Sequence, residues 1–195
     1  YTIIEREGVR IAFLGMLTPA IPNWLHESLW TGLRFDDMIK SARQWIKVLK
    51  EQEKADVIVG LFHSGWEGGI VTPNYEEDVA KKMAETVEGF DVIFFGHDHT
   101  ERNTTINGTL CLDPSCNAVK VAQATIQVRN GKVISKKGEL IDVTGEAIDQ
   151  QYMAHFQPQI DAVRQYVEHQ LGTFATTMRS RDAFFGPTAF TDLIH

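Results

Sequence analysis

The chain has 195 residues, 43% of them hydrophobic and 23% charged, an ordinary globular composition long enough for one full core. Its formal net charge of −7 gives no long-range attraction for nucleic acid, and no lysine- or arginine-rich run supplies a local one. No apolar run reaches the roughly 18 residues of a membrane span, so neither nucleic acid nor a membrane is expected as a partner.

Residues 1–6 and 9–16 are apolar runs split by Glu7-Gly8 and read as a hairpin. Residues 18–33 hold Pro19, Pro22, Trp24 and Trp30, too much proline for one helix, and are expected to form a loop packed by its own aromatics. From Asp36 or Asp37 to Glu53, the series Met38, Ala42, Trp45, Leu49, with Ile39 and Ile46, predicts a helix that feeds a strand at 57–62. A second helix is predicted over 75–87 on Val79, Met83 and Val87, feeding a strand at 92–95. Strand, helix and strand in this order make a parallel βαβ unit.

After Thr100 the pattern becomes antiparallel. Segments 104–106 and 109–112 flank Asn107-Gly108, and 119–128 and 132–141 flank Asn130-Gly131, both strong hairpin signals. Residues 148–171 predict a long connector helix kinked at Pro158, and 172–195 begin a new unit with a helix start after Gly186-Pro187. Cys111 and Cys116 are expected as one strand thiol and one loop thiol rather than a disulfide framework. The chain starts at Tyr1 inside a strand-like run and stops inside a young helix, so both ends are expected to be cuts in a longer protein. The absence of a signal peptide therefore says nothing about location.

The chemistry concentrates just beyond two apolar strands, at His63 in VIVGLFHSG and at His97 and His99 in VIFFGHDHT. In parallel α/β sheets, ligand sites lie beyond the carboxyl ends of the strands. If locally extended, His97 and His99 lie about 6.6 Å apart along the chain and share a face. By count alone, the three imidazoles suggest a mononuclear site with an open position. The competing reading makes His63 a strand cap and the His97–His99 segment a solvated turn; three histidines at adjacent strand ends, with glycine neighbours, favour ligands. Alternation turns Asp98 away from them, either as an acceptor that orients an imidazole or as a surface carboxylate. Glu67 reads as a solvated loop charge, and His26, His155, His169 and His195 as ordinary surface or interface residues. No G-x-S-x-G elbow, phosphate-cradling lysine loop or dinucleotide fingerprint is present.

GLFHSGWEGG (60–69), followed by DVIFFGHDHT (91–100), resembles the last two metal-binding motifs of the calcineurin-like metallophosphoesterases, in the branch of the 5′-nucleotidases and 2′,3′-cyclic-nucleotide 2′-phosphodiesterases. EGVRIAFLGMLTPAIPNW (7–24), NGTLCLDPSCNAVKVAQATIQV (107–128) and SRDAFFGPTAFTDLIH (180–195) extend the resemblance over essentially the whole chain. It implies an α/β fold that is part of a four-layer αββα sandwich. Residues 1–145 would be the C-terminal half of the phosphoesterase domain, 146–172 a linker helix, and 173–195 the start of a substrate-binding domain. It further implies two divalent ions, zinc, manganese, iron or similar, with His63 and His97 on one and His99 on the other. A metal-activated water would attack the phosphorus of a nucleotide or another small phosphoester, and the parent would be periplasmic or secreted.

The family's Asp-x-His, bridging aspartate and Gly-Asn-His motifs are not in this sequence, so the isolated chain is expected to be inactive or nearly so. Half a sandwich exposes an apolar sheet face, through which such a fragment could self-associate. Two rival readings use the same three histidines: a non-catalytic metal-binding or interaction module, and a self-contained mononuclear hydrolase.

Overall fold

The computed structural model describes residues 1–175 and 177–194 and divides the chain into two compact units, Tyr1–Glu146 and Ala147–His195. Thr176 and His195, which fall in the expected segment 173–195, lie outside the described residues. The first unit runs β1 (Thr2–Arg6), β2 (Val9–Leu17), α1 (Met38–Glu51), β3 (Val57–His63), β4 (Gly68–Val71), β5 (Glu76–Asp78) and α2 (Ala80–Thr86). It continues with β6 (Val92–Phe94), β7 (Glu101–Ile106), β8 (Thr109–Pro114), β9 (Lys120–Arg129) and β10 (Lys132–Asp142). The second unit holds α3 (Gln150–Val167) and α4 (Ala189–Ile194).

Turn chemistry sets the hairpins. At Glu7-Gly8, Asn107-Gly108 and Asn130-Gly131 both central residues have positive φ, 49° and 77°, 48° and 83°, 52° and 68°. That is the primed geometry whose twist matches the flanking strands. The main sheet has the order β1-β2-β3-β6-β8-β7, with β2, β3, β6 and β8 parallel and β1 and β7 antiparallel at the edges. α1 links β2 to β3, and α2 lies between β3 and β6, as the βαβ reading requires.

Both faces of the central strands are covered, which explains their near-continuous apolar sequence. Ile58, Phe62, Ile93 and Cys111 pack with Met38, Ile39, Ala42, Ile46 and Leu49 of α1 and with Met83 and Ala84 of α2. On the opposite face, Val57, Val59, Val92, Leu110 and Leu112 meet Ala122, Ala124, Ile126 and Val128 of β9. Helices, six-stranded sheet and β9–β10 hairpin thus form three layers of the expected αββα arrangement. Cys111 is buried in β8 and Cys116 follows it in a loop, both as free thiols.

Three local expectations need correction. The helix predicted over 75–87 begins only at Ala80, because Glu76–Asp78 pair with Gly68–Val71 as a small hairpin. The Glu77 and Asp78 carboxylates accept from loop backbone N–H groups there, and such side-chain bonds compete with helix formation. The segment at His97 and His99 is not extended: β6 stops at Phe94, and the two histidines have φ of 116° and 58°. Finally, the aromatics of 18–33 do not pack chiefly on one another. Trp30 leans edge-on against Phe35, and Trp24 lies against His97.

In the second unit, Asp149 caps α3 by accepting from Gln151 N and Tyr152 N, Pro158 lies inside the helix, and none of its residues is buried. Among the described residues no helix is long and apolar enough to cross a membrane.

Candidate metal centre

β3 and β6 are parallel neighbours, in register from Val59 opposite Val92 to Leu61 opposite Phe94, so their carboxyl ends open on the same edge. His63 is the last residue of β3, and a bridge between Ser64 and Gly96 draws the loop after each strand together. Thr18 N donates to His63 O at 2.8 Å, so the end of β2 holds the same point.

Two of the three histidines converge. His63 Nε2 and His97 Nδ1 lie 3.1 Å apart, with ring centroids at 4.8 Å. Two imidazole nitrogens on one divalent ion at about 2.0–2.1 Å are separated by roughly 2.9–3.4 Å, so this pair fits two ligands of one ion. His99 does not join them: it is exposed, and among the described residues it belongs to no group of three ligand-type side chains within 4.8 Å of one another. The three histidines therefore do not form one three-nitrogen site, as the count alone suggested.

The neighbours of His97 were not legible in the sequence. His97 Nε2 meets Glu77 Oε1 at 2.8 Å, and Glu77 Oε2 accepts from Ile70 N at 2.6 Å. Glu77, Asp78 and His97 form a group whose ligand-type atoms all lie within 4.8 Å of one another. Both carboxylates in it are already engaged by backbone donors, Ile70 N and, for Asp78 Oδ1, Gly65 N at 2.6 Å. The group therefore reads as the support of His97 rather than as a separate cation site. In the sequence Glu77-Asp78 is an ordinary acidic pair, which the overlong helix prediction absorbed.

The loop after His63 is fastened residue by residue. The buried Ser64 hydroxyl donates to Glu77 O and accepts from Val79 N, Gly65 O accepts from Ala80 N, and Trp66 N donates to Asp98 Oδ2 at 2.8 Å. Asp98 also accepts from Thr100 N and Thr100 Oγ1, so it serves backbone and hydroxyl donors, not an imidazole. Burial pushes the Asp98 carboxyl up, but these hydrogen bonds outweigh it and hold the pKa below the ordinary value. Burial raises Asp78, with the Gly65 hydrogen bond opposing. Trp66 stacks on Phe95, and the Arg102 guanidinium sits 4.5 Å over its ring. Glu67 is exposed and pairs with Lys81, as a solvated loop charge does.

Beside His63 and Gly96 opens a cleft of about 740 Å³ walled by Met16, Leu17, Leu61, Phe94 and Val121, with Lys120 as its cationic residue. His63 thus lies at the mouth of an apolar recess, at the carboxyl ends of parallel strands, while the Lys120 ammonium on its wall is paired with Glu101 Oε2 at 2.5 Å.

No protein-family model matches the chain. The calcineurin-like phosphoesterase YfkN from Bacillus subtilis superposes with a TM-score of 0.74 at 23% identity, over 85% of this chain and 58% of that one. The chain has the calcineurin-like phosphoesterase fold. In sequence, it is 27% identical over 166 residues to the trifunctional nucleotide phosphoesterase YfkN of Bacillus subtilis, covering 74% of this chain and 11% of that protein. It is 24% identical over 210 residues to a 2′,3′-cyclic-nucleotide 2′-phosphodiesterase/3′-nucleotidase of Haemophilus influenzae, covering 92% of this chain and 31% of that protein. Further relatives carry the names 5′-nucleotidase and endonuclease. The relatives described carry the names of nucleotide phosphoesterases, nucleotidases and a nuclease, and the chain spans between 11% and 31% of the first two of them.

Proposed function

We propose that the chain is part of the catalytic domain of a metal-dependent phosphoesterase that hydrolyses nucleotides, with His63, His97 and His99 among its metal ligands. The observation that carries this reading is the 3.1 Å approach of His63 Nε2 to His97 Nδ1 at the mouth of the cleft. On this reading His63 and His97 share one ion and His99 serves a second. When bound, divalent ions supply positive charge for the phosphoryl oxygens and lower the pKa of water. The chain's own contribution is placement: β3 and β6 bring His63 and His97 to one edge, and the loop bonds hold them. The parent is read as a periplasmic or secreted enzyme of nucleotide breakdown. Within it, residues 1–145 belong to the phosphoesterase domain, 146–172 to a linker helix and 173–195 to the start of a substrate-binding domain.

Zinc and manganese titration of the chain by calorimetry tests the ligand assignment. His63→Ala and His97→Ala should each weaken binding by at least about tenfold, while His155→Ala, on the exposed face of α3, leaves it unchanged. Equal affinity in all four proteins would sink it. The substrate assignment is tested on the parent protein with nucleoside monophosphates, 2′,3′-cyclic nucleotides and a single-stranded oligonucleotide. Turnover of the oligonucleotide alone would replace the nucleotide reading with a nuclease.

A further inference from the structure

We infer that Glu77 is the positioning residue of this centre: its carboxylate holds the Nε2–H of His97 and so leaves the Nδ1 lone pair bare, facing His63. The inference rests on the metal-dependent reading above and specifies what prepares one of its ligands. A neutral imidazole carries one N–H, and an ionised carboxylate only accepts, so the 2.8 Å contact of Glu77 Oε1 with Nε2 requires the proton to sit on Nε2. The remaining nitrogen, Nδ1, is the one 3.1 Å from His63 Nε2. A metal-binding histidine commonly donates its other ring N–H to a carboxylate, which fixes tautomer and ring orientation.

The carboxylate is itself fixed. Glu77 is only 9% exposed, and its second oxygen accepts from Ile70 N. The loop backbone wraps around it: Gly69 has a φ of +65°, and a Cβ there would lie 2.6 Å from Glu77 Oε2 and 2.8 Å from Asp78 Oδ2. A Cβ on Gly65 would lie 2.7 Å from Asp78 Oδ1. Gly65 and Gly69 therefore make room for the two carboxylates. Trp24 packs against the His97 ring, with centroids 5.3 Å apart, so the imidazole is held at one nitrogen by Glu77 and by ring contact with Trp24.

The isosteric substitution Glu77→Gln tests this sharply. The carboxylate offers two acceptor oxygens to two donors, whereas an amide offers one. If its oxygen stays with Ile70 N–H, its NH2 faces His97 Nε2 and drives the ring proton to Nδ1. Long-range proton–nitrogen NMR spectra of the metal-free chain with labelled histidine read the tautomer, calorimetry with zinc reads the affinity, and circular dichroism checks the fold. The expected result is the Nε2–H tautomer of His97 in the wild type, a shift toward Nδ1–H in the folded variant, and a loss of zinc affinity of about 10–100-fold. A wild-type His97 protonated on Nδ1 overturns the inference whether or not the variant folds. So does a folded variant with an unchanged tautomer and zinc affinity within about twofold of wild type. If the tautomer shifts as expected but the wild type binds no zinc, the metal reading fails while the hold of Glu77 on His97 stands.

Discussion

Asp113 lies fully buried at the end of β8, where its Oδ1 accepts from Ser115 N at 2.8 Å and its Oδ2 has no donor of its own. Burial first, and the facing Asp98 carboxylate second, push its pKa up to about 6. The folded state therefore holds a proton that the unfolded chain releases near pH 4, so this group's contribution is full below about pH 4 and is lost as pH rises through about 6. Asp113→Asn keeps a donor toward Asp98 without needing the proton. Its melting temperature relative to wild type should rise between about pH 4 and pH 7; a constant difference in thermal melts would refute the raised Asp113 pKa. At Gly69, a side chain meets both a left-handed backbone and the Glu77 carboxylate. Gly69→Ala should cost about 1–3 kcal/mol in urea unfolding and should weaken zinc binding as well. Of these residues, His63 and His97 were visible in the sequence because imidazole beyond a strand is unusual chemistry. Glu77 was not, because one acid among 26 has no local mark until the fold shows what it touches.

Among the elements, α1 shows what local rules can establish. Its apolar spacing places Met38, Ile39, Ala42, Ile46 and Leu49 in the core, and Asp37 Oδ1 accepts from Lys40 N at 2.8 Å to cap it. Asp37→Ala should cost about 0.5–2 kcal/mol and Asp37→Ser much less, measured by denaturant midpoint. The region before α2 shows where local rules fail. Its periodicity runs back into Tyr75, yet Glu76–Asp78 form a strand because their carboxylates have partners 7–20 residues away, at Ile70, Gly65 and His97. The stretch at His97 and His99 fails for a related reason: positive φ at both residues destroys the alternation on which a shared face depended.

In the first unit the layers meet closely at Gly138 of β10. A Cβ there would lie 2.5 Å from Leu112 Cδ2 and 2.8 Å from Asn103 Oδ1, and Asn103 Nδ2 donates to Gly138 O at 2.8 Å. Gly138→Ala should destabilise by about 1–3 kcal/mol through overpacking. Combined with Leu112→Ala, which alone opens a cavity costing about 2–5 kcal/mol, it should lose less than the sum, because the new methyl fills part of the space. Strict additivity in chemical denaturation would show that the hairpin does not bear on β8 here. The sequence by itself determined the apolar strands, the primed turns, α1 and the two histidine motifs, since each depends on neighbours within a few residues. Only the tertiary structure decided that His63 and His97 meet while His99 stands apart, and that Glu77 holds His97. Those contacts join the ends of different strands, and side-chain direction there is set by loop backbone and distant partners rather than by any periodic pattern.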